Sequence, residues 1–162
     1  MQAGKINNPP AGGGGKMRNE MKSAFGGKKY ITACAIIEND KGEILLSKRG
    51  REPFMGVWAL ISGIGANKNG MESEVGVIQE VKADLGTGSF QGKLFLSIPL
   101  ENDPKSNKVD VYVGKINESE IKVNPVYSAG IKWVSIKDKG QFQNLAFEHS
   151  KIMEKYLESL ER

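Results

Sequence analysis

The chain has 162 residues, 39% of them hydrophobic, and a formal charge of +4, enough for one domain with a real core and short for two. One cysteine excludes an internal disulfide framework, and the lack of any run of about eighteen apolar residues excludes a membrane-spanning helix. The first 30 residues hold six basic side chains against one acidic, which leaves the other 132 at net −1 and excludes a basic nucleic-acid-binding domain.

Residues 1–28 contain Pro9, Pro10, the run Gly12 to Gly15 and the pair Gly26-Gly27, with almost no branched apolar side chains. Such a segment cannot bury enough surface to offset its ordering entropy. A disordered Gly/Pro-rich basic leader is therefore expected, followed by one domain over 29–162. The leader has no apolar stretch of signal-peptide length, and GGGGK at 12–16 lacks the preceding strand, the glycine spacing and the following Ser or Thr of a phosphate loop. A soluble protein of the reducing cytoplasm is expected.

Residues 30–37 and 43–48 are β-rich runs joined by Asn39, Asp40, Lys41 and Gly42, a turn by composition, so a hairpin is predicted. Cys34, inside the first run, reads as a small buried hydrophobe. Residues 49–55 are polar and punctuated by Gly and Pro; residues 57–62 make a short strand leading into a glycine-rich loop at 63–70. The apolar spacing of Val75, Val77, Ile78, Val81 and Leu85 predicts a helix over 71–85, with Gly86 as its C-cap. Strands are predicted at 94–100, 109–116 and 131–136. An amphipathic helix over 145–160 closes the chain, with Ile152, Met153, Tyr156, Leu157 and Leu160 on one stripe. Strands interrupted by one helix and closed by another fit an α+β domain, with helices flanking a mixed sheet.

The stretch from Gly65 to Thr87, GANKNGMESEVGVIQEVKADLGT, has the register of a known motif. Five residues separate Gly65 from Met71, and seven more lead to Gln79 and Glu80. This resembles the Nudix box, G-x5-E-x7-R-E-U-x-E-E-x-G-U, at Gly65, Glu80, Val81, Asp84 and Gly86, and departs from it at Met71, Gln79, Ala83 and Thr87. The resemblance extends upstream through GEILLSKRGREPFMGVWAL and downstream through IKWVSIKD and LAFEHSKI, covering about residues 29–160. It implies the α/β/α sandwich of the Nudix hydrolases, with a mixed β-sheet flanked by helices.

The resemblance also implies Mg²⁺ or Mn²⁺ held by carboxylates and a nucleoside diphosphate derivative as substrate. Diphosphate hydrolysis needs a nucleophilic water and neutralised phosphate oxygens, which divalent metals supply. Positions i, i+3 and i+4 of a helix share a face; here they are Glu80, Ala83 and Asp84, so two ligands survive and the third is a methyl group. Glu80 is the expected catalytic residue and ligand, Asp84 a second ligand, and Gly65 occupies the position whose backbone carbonyl faces metal. Arg49, at the end of the second strand, is the expected substrate-phosphate contact.

Gln79 cannot orient Glu80 by ion pairing as arginine does, and Met71 is a poor ligand for a hard cation. Glu72 and Glu74 lie close enough in sequence to stand in for it. Asp110, in an alternating strand, is another candidate acid but is expected to face solvent, Trp58 and Phe54 to be core, and His149 to cap or pack. Two readings follow: a hydrolase weakened by its degenerate box, or a catalytically silent fold that binds a nucleotide or a protein partner. No membrane and no specific nucleic acid partner are expected.

Overall fold

The computed structural model describes residues 28–162. The expected leader lies outside the described residues except for Lys28.

β1 (Tyr30–Ile37) and β2 (Glu43–Arg49) form where β-rich sequence was expected. Between them, the Asn39 side chain accepts from the backbone N–H groups of Lys41 and Glu43, while Gly42 adopts φ +74°. The hairpin expectation needs correction. The two strands meet only at the bridge between Glu38 and Ile44, then diverge into different sheets. The burial contains the reason: residues 33–37 of β1 and 44–47 of β2 are buried without alternation, the mark of strands covered on two faces.

One sheet has the order β4-β1-β6-β5 and the other β3-β2-β7. In the first, β1 runs parallel to β6 (Ser106–Lys115) and antiparallel to β4 (Ile61–Gly63), and β5 (Gln91–Pro99) forms an antiparallel edge. In the second, β2 lies antiparallel to both β3 (Trp58–Ala59) and β7 (Ser128–Ser135). The short strand expected at 57–62 is thus split at Leu60, with β3 serving one sheet and β4 the other.

Helix α1 (Gly65–Lys68) is a single turn inside the expected glycine-rich loop, and α2 (Ser73–Leu85) follows. Gly86 ends α2 at φ +74°, its N–H bonded to Lys82 O, as the sequence led one to expect. The last helix, α3, spans His149–Leu160 and starts four residues later than predicted. Phe147 adopts φ +55°, and the Ala146 N–H is spent on Trp58 O instead of on a helical turn.

Alternation along β1 builds two cores. Ala33, Ala35 and Ile37 pack with Val77, Val81 and Leu85 of α2. Cys34 and Ile36 pack with Ile152, Met153, Tyr156 and Leu157 of α3 on the opposite side. The result is a mixed α+β sandwich with helices outside and sheets between. Full burial raises the Cys34 thiol to about 12 and keeps it neutral, as its apolar setting predicted.

Candidate active site

Glu80 and Asp84 stand one turn apart on the last two turns of α2 and share a face. Glu80 Oε2 accepts from the Ala66 N–H at 2.9 Å, which pins the carboxylate to the start of α1. A side chain on Gly63 would come within 2.3 Å of Glu80 Oε1, and one on Gly65 within 3.6 Å of Oε2. The absent side chain of Gly63 therefore clears the space that Glu80 occupies, while a Cβ on Gly65 would make only an ordinary contact.

Asp84 is half-buried, and burial together with the nearby Glu80 carboxylate pushes its pKa up to about 6. Arg51 and Arg49 oppose that rise. Asp84 and its neighbour Ala83 are also tied to the loop that precedes β7. Asn124 N–H donates to Asp84 O and the Asn124 side chain to Ala83 O, Tyr127 N–H donates to Asn124 O, and Gly50 N–H donates to Tyr127 O. These bonds bring the end of α2 beside residues 49–51.

Arg49 lies against Phe147, its guanidinium carbon 4.7 Å from the ring centroid, and its Nε donates to Pro53 O at 2.6 Å. Desolvation, followed by the charge of Arg51, holds its pKa below the ordinary value. Phe147 meets Phe54 edge-on at 4.9 Å. Phe54 is 46% exposed at φ +63°, so the expectation that it belongs to the core is corrected. Its left-handed backbone turns the ring out of the 51–56 loop and onto Phe147. Trp58 does pack on the core, with Lys132 Nζ 4.3 Å from its ring centroid.

Several other expectations change. Asp110 is 5% exposed instead of solvent-facing, and it accepts from Ser73 Oγ and Ser97 Oγ with Lys108 Nζ 3.4 Å away. Burial raises its pKa, but those hydrogen bonds and the lysine outweigh it and hold the carboxyl below its usual range. The helix starts at Ser73, so Met71 stays outside it, its N–H on Ala66 O and its carbonyl accepting from the Asn67 side chain. Glu74 lies six residues before Glu80, about 9 Å along the axis and well round the helix, and Glu72 is further still. Neither joins the site.

His149 is buried and packs as expected. Its Nδ1 accepts from the Leu60 N–H at 3.0 Å, which places the ring proton on Nε2, 3.3 Å from Ser62 Oγ. Burial, with the charge of Arg49 adding to it, lowers its pKa to about 3. The ring is neutral and braces the crossover between β3 and β4.

Among the described residues no three His, Cys, Asp or Glu side chains converge on one point. Glu80 and Asp84 are hard oxygen donors, and their mutual repulsion is what a bound cation relieves. Two carboxylates fit one weakly held divalent ion, and Ala83 beside them is exposed. Arg51 and Tyr127 were not singled out from the sequence. A second arginine two residues after Arg49 was the available signal, and only the 124–127 loop gives it meaning.

No family model matches the chain, and no curated protein matches it. Solved structures do. The chain is similar to the Nudix domain of NrtR from Shewanella oneidensis in a cocrystal with ADP-ribose, at 20% identity and TM-score 0.67, over 86% of this chain and 92% of that one. It is similar to a Nudix hydrolase from Nitrosomonas europaea at 16% identity and TM-score 0.64, over 82% and 72%. It is also similar to Shewanella oneidensis NrtR complexed with a 27mer DNA, at 19% identity and TM-score 0.59, over 82% of this chain and 61% of that one.

Proposed function

Since the chain has the Nudix fold, we propose that it is a divalent-metal-dependent hydrolase of the diphosphate linkage in a nucleoside diphosphate derivative, slowed by its missing carboxylate. The observation that carries this reading is the pair Glu80 and Asp84, one turn apart on α2, close enough for Glu80 to raise the Asp84 pKa. These two residues, with the backbone at Gly65, would hold Mg²⁺ or Mn²⁺. The metal supplies charge neutralisation and a more acidic water. Glu80, held through one oxygen by the Ala66 N–H, is the metal-binding carboxylate on which the reaction depends. Arg49 binds a phosphate oxygen.

The second reading, a silent module that binds a nucleotide or protein partner, is favoured by one specific observation. Ala83 leaves an exposed methyl where a third carboxylate would stand, and no three acidic, His or Cys side chains converge among the described residues. ADP-ribose, bound by the NrtR domain, is a suitable first ligand for testing either reading. The net charge of −1 beyond residue 30 supports no specific nucleic acid partner, and a retarded duplex in a mobility-shift assay at physiological salt would contradict that.

The deciding experiment is a panel of nucleoside diphosphate derivatives with Mg²⁺ and with Mn²⁺, scored by chromatography for the nucleoside monophosphate that cleavage of the diphosphate linkage releases. Slow metal-dependent hydrolysis is expected, lost in Glu80→Gln and raised in Ala83→Glu combined with Gln79→Arg, which restores the third ligand and the orienting ion pair. If the wild type and the folded double variant are both inert, the hydrolase reading fails and the binding module stands.

A further inference from the structure

The end of α2 is a poor place for a diphosphate. Two carboxylates and the negative end of a helix dipole face any anion that approaches. Cations must intervene, and the described residues supply two beside Asp84. Arg49 ends β2 and Arg51 follows two residues later; each guanidinium is backed by an aromatic ring, Arg49 on Phe147 at 4.7 Å and Arg51 on Tyr127 at 4.4 Å. Both distances lie within the cation–π range of about 6 Å.

Three features mark the pair as prepared for an anion. Among the described residues, neither guanidinium forms an ion pair with a carboxylate. The Arg49 Nε–H is committed to Pro53 O, which fixes the guanidinium plane and leaves the Nη groups for another partner. The backbone bonds from Gly50 to Tyr127, from Tyr127 to Asn124 and from Asn124 to Asp84 hold the loop that backs Arg51 to the helix that carries the carboxylates. A guanidinium lying over a ring keeps its edge N–H groups for bidentate recognition of phosphate.

We infer that Arg49 and Arg51 form a diphosphate clamp that binds without metal, the two planar cations supplying the charge neutralisation that Glu80 and Asp84, themselves acidic, cannot. This deepens the reading of the cleft as a diphosphate site and rests on it. The ligand class is a diphosphate or a diphosphate-containing nucleotide, gripped at its bridging region by two forks instead of through bridging cations.

The test is calorimetric titration of the full chain with inorganic pyrophosphate in EDTA, with orthophosphate for comparison. Pyrophosphate is expected to bind in EDTA, more tightly than orthophosphate and less tightly as salt rises. Arg49→Ala and Arg51→Ala should each weaken it by about tenfold or more, the range for losing a charge-assisted hydrogen bond. Arg51 is exposed, so its removal leaves the cores untouched. Arg51→Lys should weaken binding as well, because an ammonium keeps the charge but loses the fork.

Pyrophosphate binding that appears only after Mn²⁺ is added overturns the clamp and leaves the metal-dependent hydrolase standing. Binding in EDTA that Arg51→Ala does not change overturns it too. Binding in EDTA that both alanine variants weaken, from a chain inert on the substrate panel, upholds the clamp while the hydrolase reading falls.

Discussion

His149 shows how much of a residue's meaning depends on its surroundings. As the chain's one histidine it invites a catalytic role, yet its Nδ1 is committed to the Leu60 N–H and the ring stays neutral. Its pKa is about 3 in the folded chain against an ordinary 6.5. Between those values the unfolded chain binds one more proton, so stability is lost as pH falls through this window, by about 1.4 kcal/mol per pH unit. His149→Gln keeps an acceptor for Leu60 and carries no titrating group. Its urea midpoint should therefore fall less than the wild-type midpoint between pH 7.5 and pH 4.5; an equal fall in both would assign the acid sensitivity to other groups. Asp110 is the opposite case: an alternating polar position that reads as solvent-facing becomes a buried acceptor, because Ser73 and Ser97 arrive from two other elements.

At the scale of elements, α2 was the most legible part of the chain. Its apolar spacing, its end at Gly86 and the face shared by Glu80 and Asp84 are local properties of an α-helix. Its attachment was not legible, since Asp110 of β6 holds Ser73 in the first turn of α2 and Ser97 of β5 at once. Asp110→Ala strips the acceptor from both hydroxyls and from Lys108 at a buried site, which should cost about 1–3 kcal/mol. A thermal melt should register this as a drop of several degrees for a domain of this size, and an unchanged melt would show that the network contributes nothing net. The strands were harder to bound. β5, β6 and β7 each begin three residues before the predicted start, at Gln91, Ser106 and Ser128, where the sequence is polar or glycine-rich. Pairing draws those residues in, Gln91 opposite Lys115, Ser106 opposite Tyr30 and Ser128 opposite Arg49.

For the whole molecule, the composition of residues 1–28 predicts that the domain does not depend on them. Deleting them should leave the melting temperature within a few degrees of the full chain, about what a change below 1 kcal/mol produces; a large drop would mean that the leader docks on the domain. The described residues contain no helix long and apolar enough to cross a membrane. Their two cores lie on opposite sides of β1, one under α2 and one under α3. This arrangement explains why the hairpin reading failed. β1 and β2 are each buried on both faces, so each becomes an inner strand of its own sheet.

The sequence by itself determined most of the elements in outline, their order, the α+β class and the register that sets Glu80 and Asp84 one turn apart, but not the split into β3 and β4 nor α1, because periodicity, turn chemistry and helix geometry act over a few residues. Only the tertiary structure decided which strands share a sheet, that Asp110 is buried, that Phe54 turns outward, and that Arg51 rests on Tyr127 beside Asp84. Those facts depend on groups far apart in the chain, 76 positions for Arg51 and Tyr127, being brought together by backbone bonds between loops. No local preference of either segment encodes such a meeting.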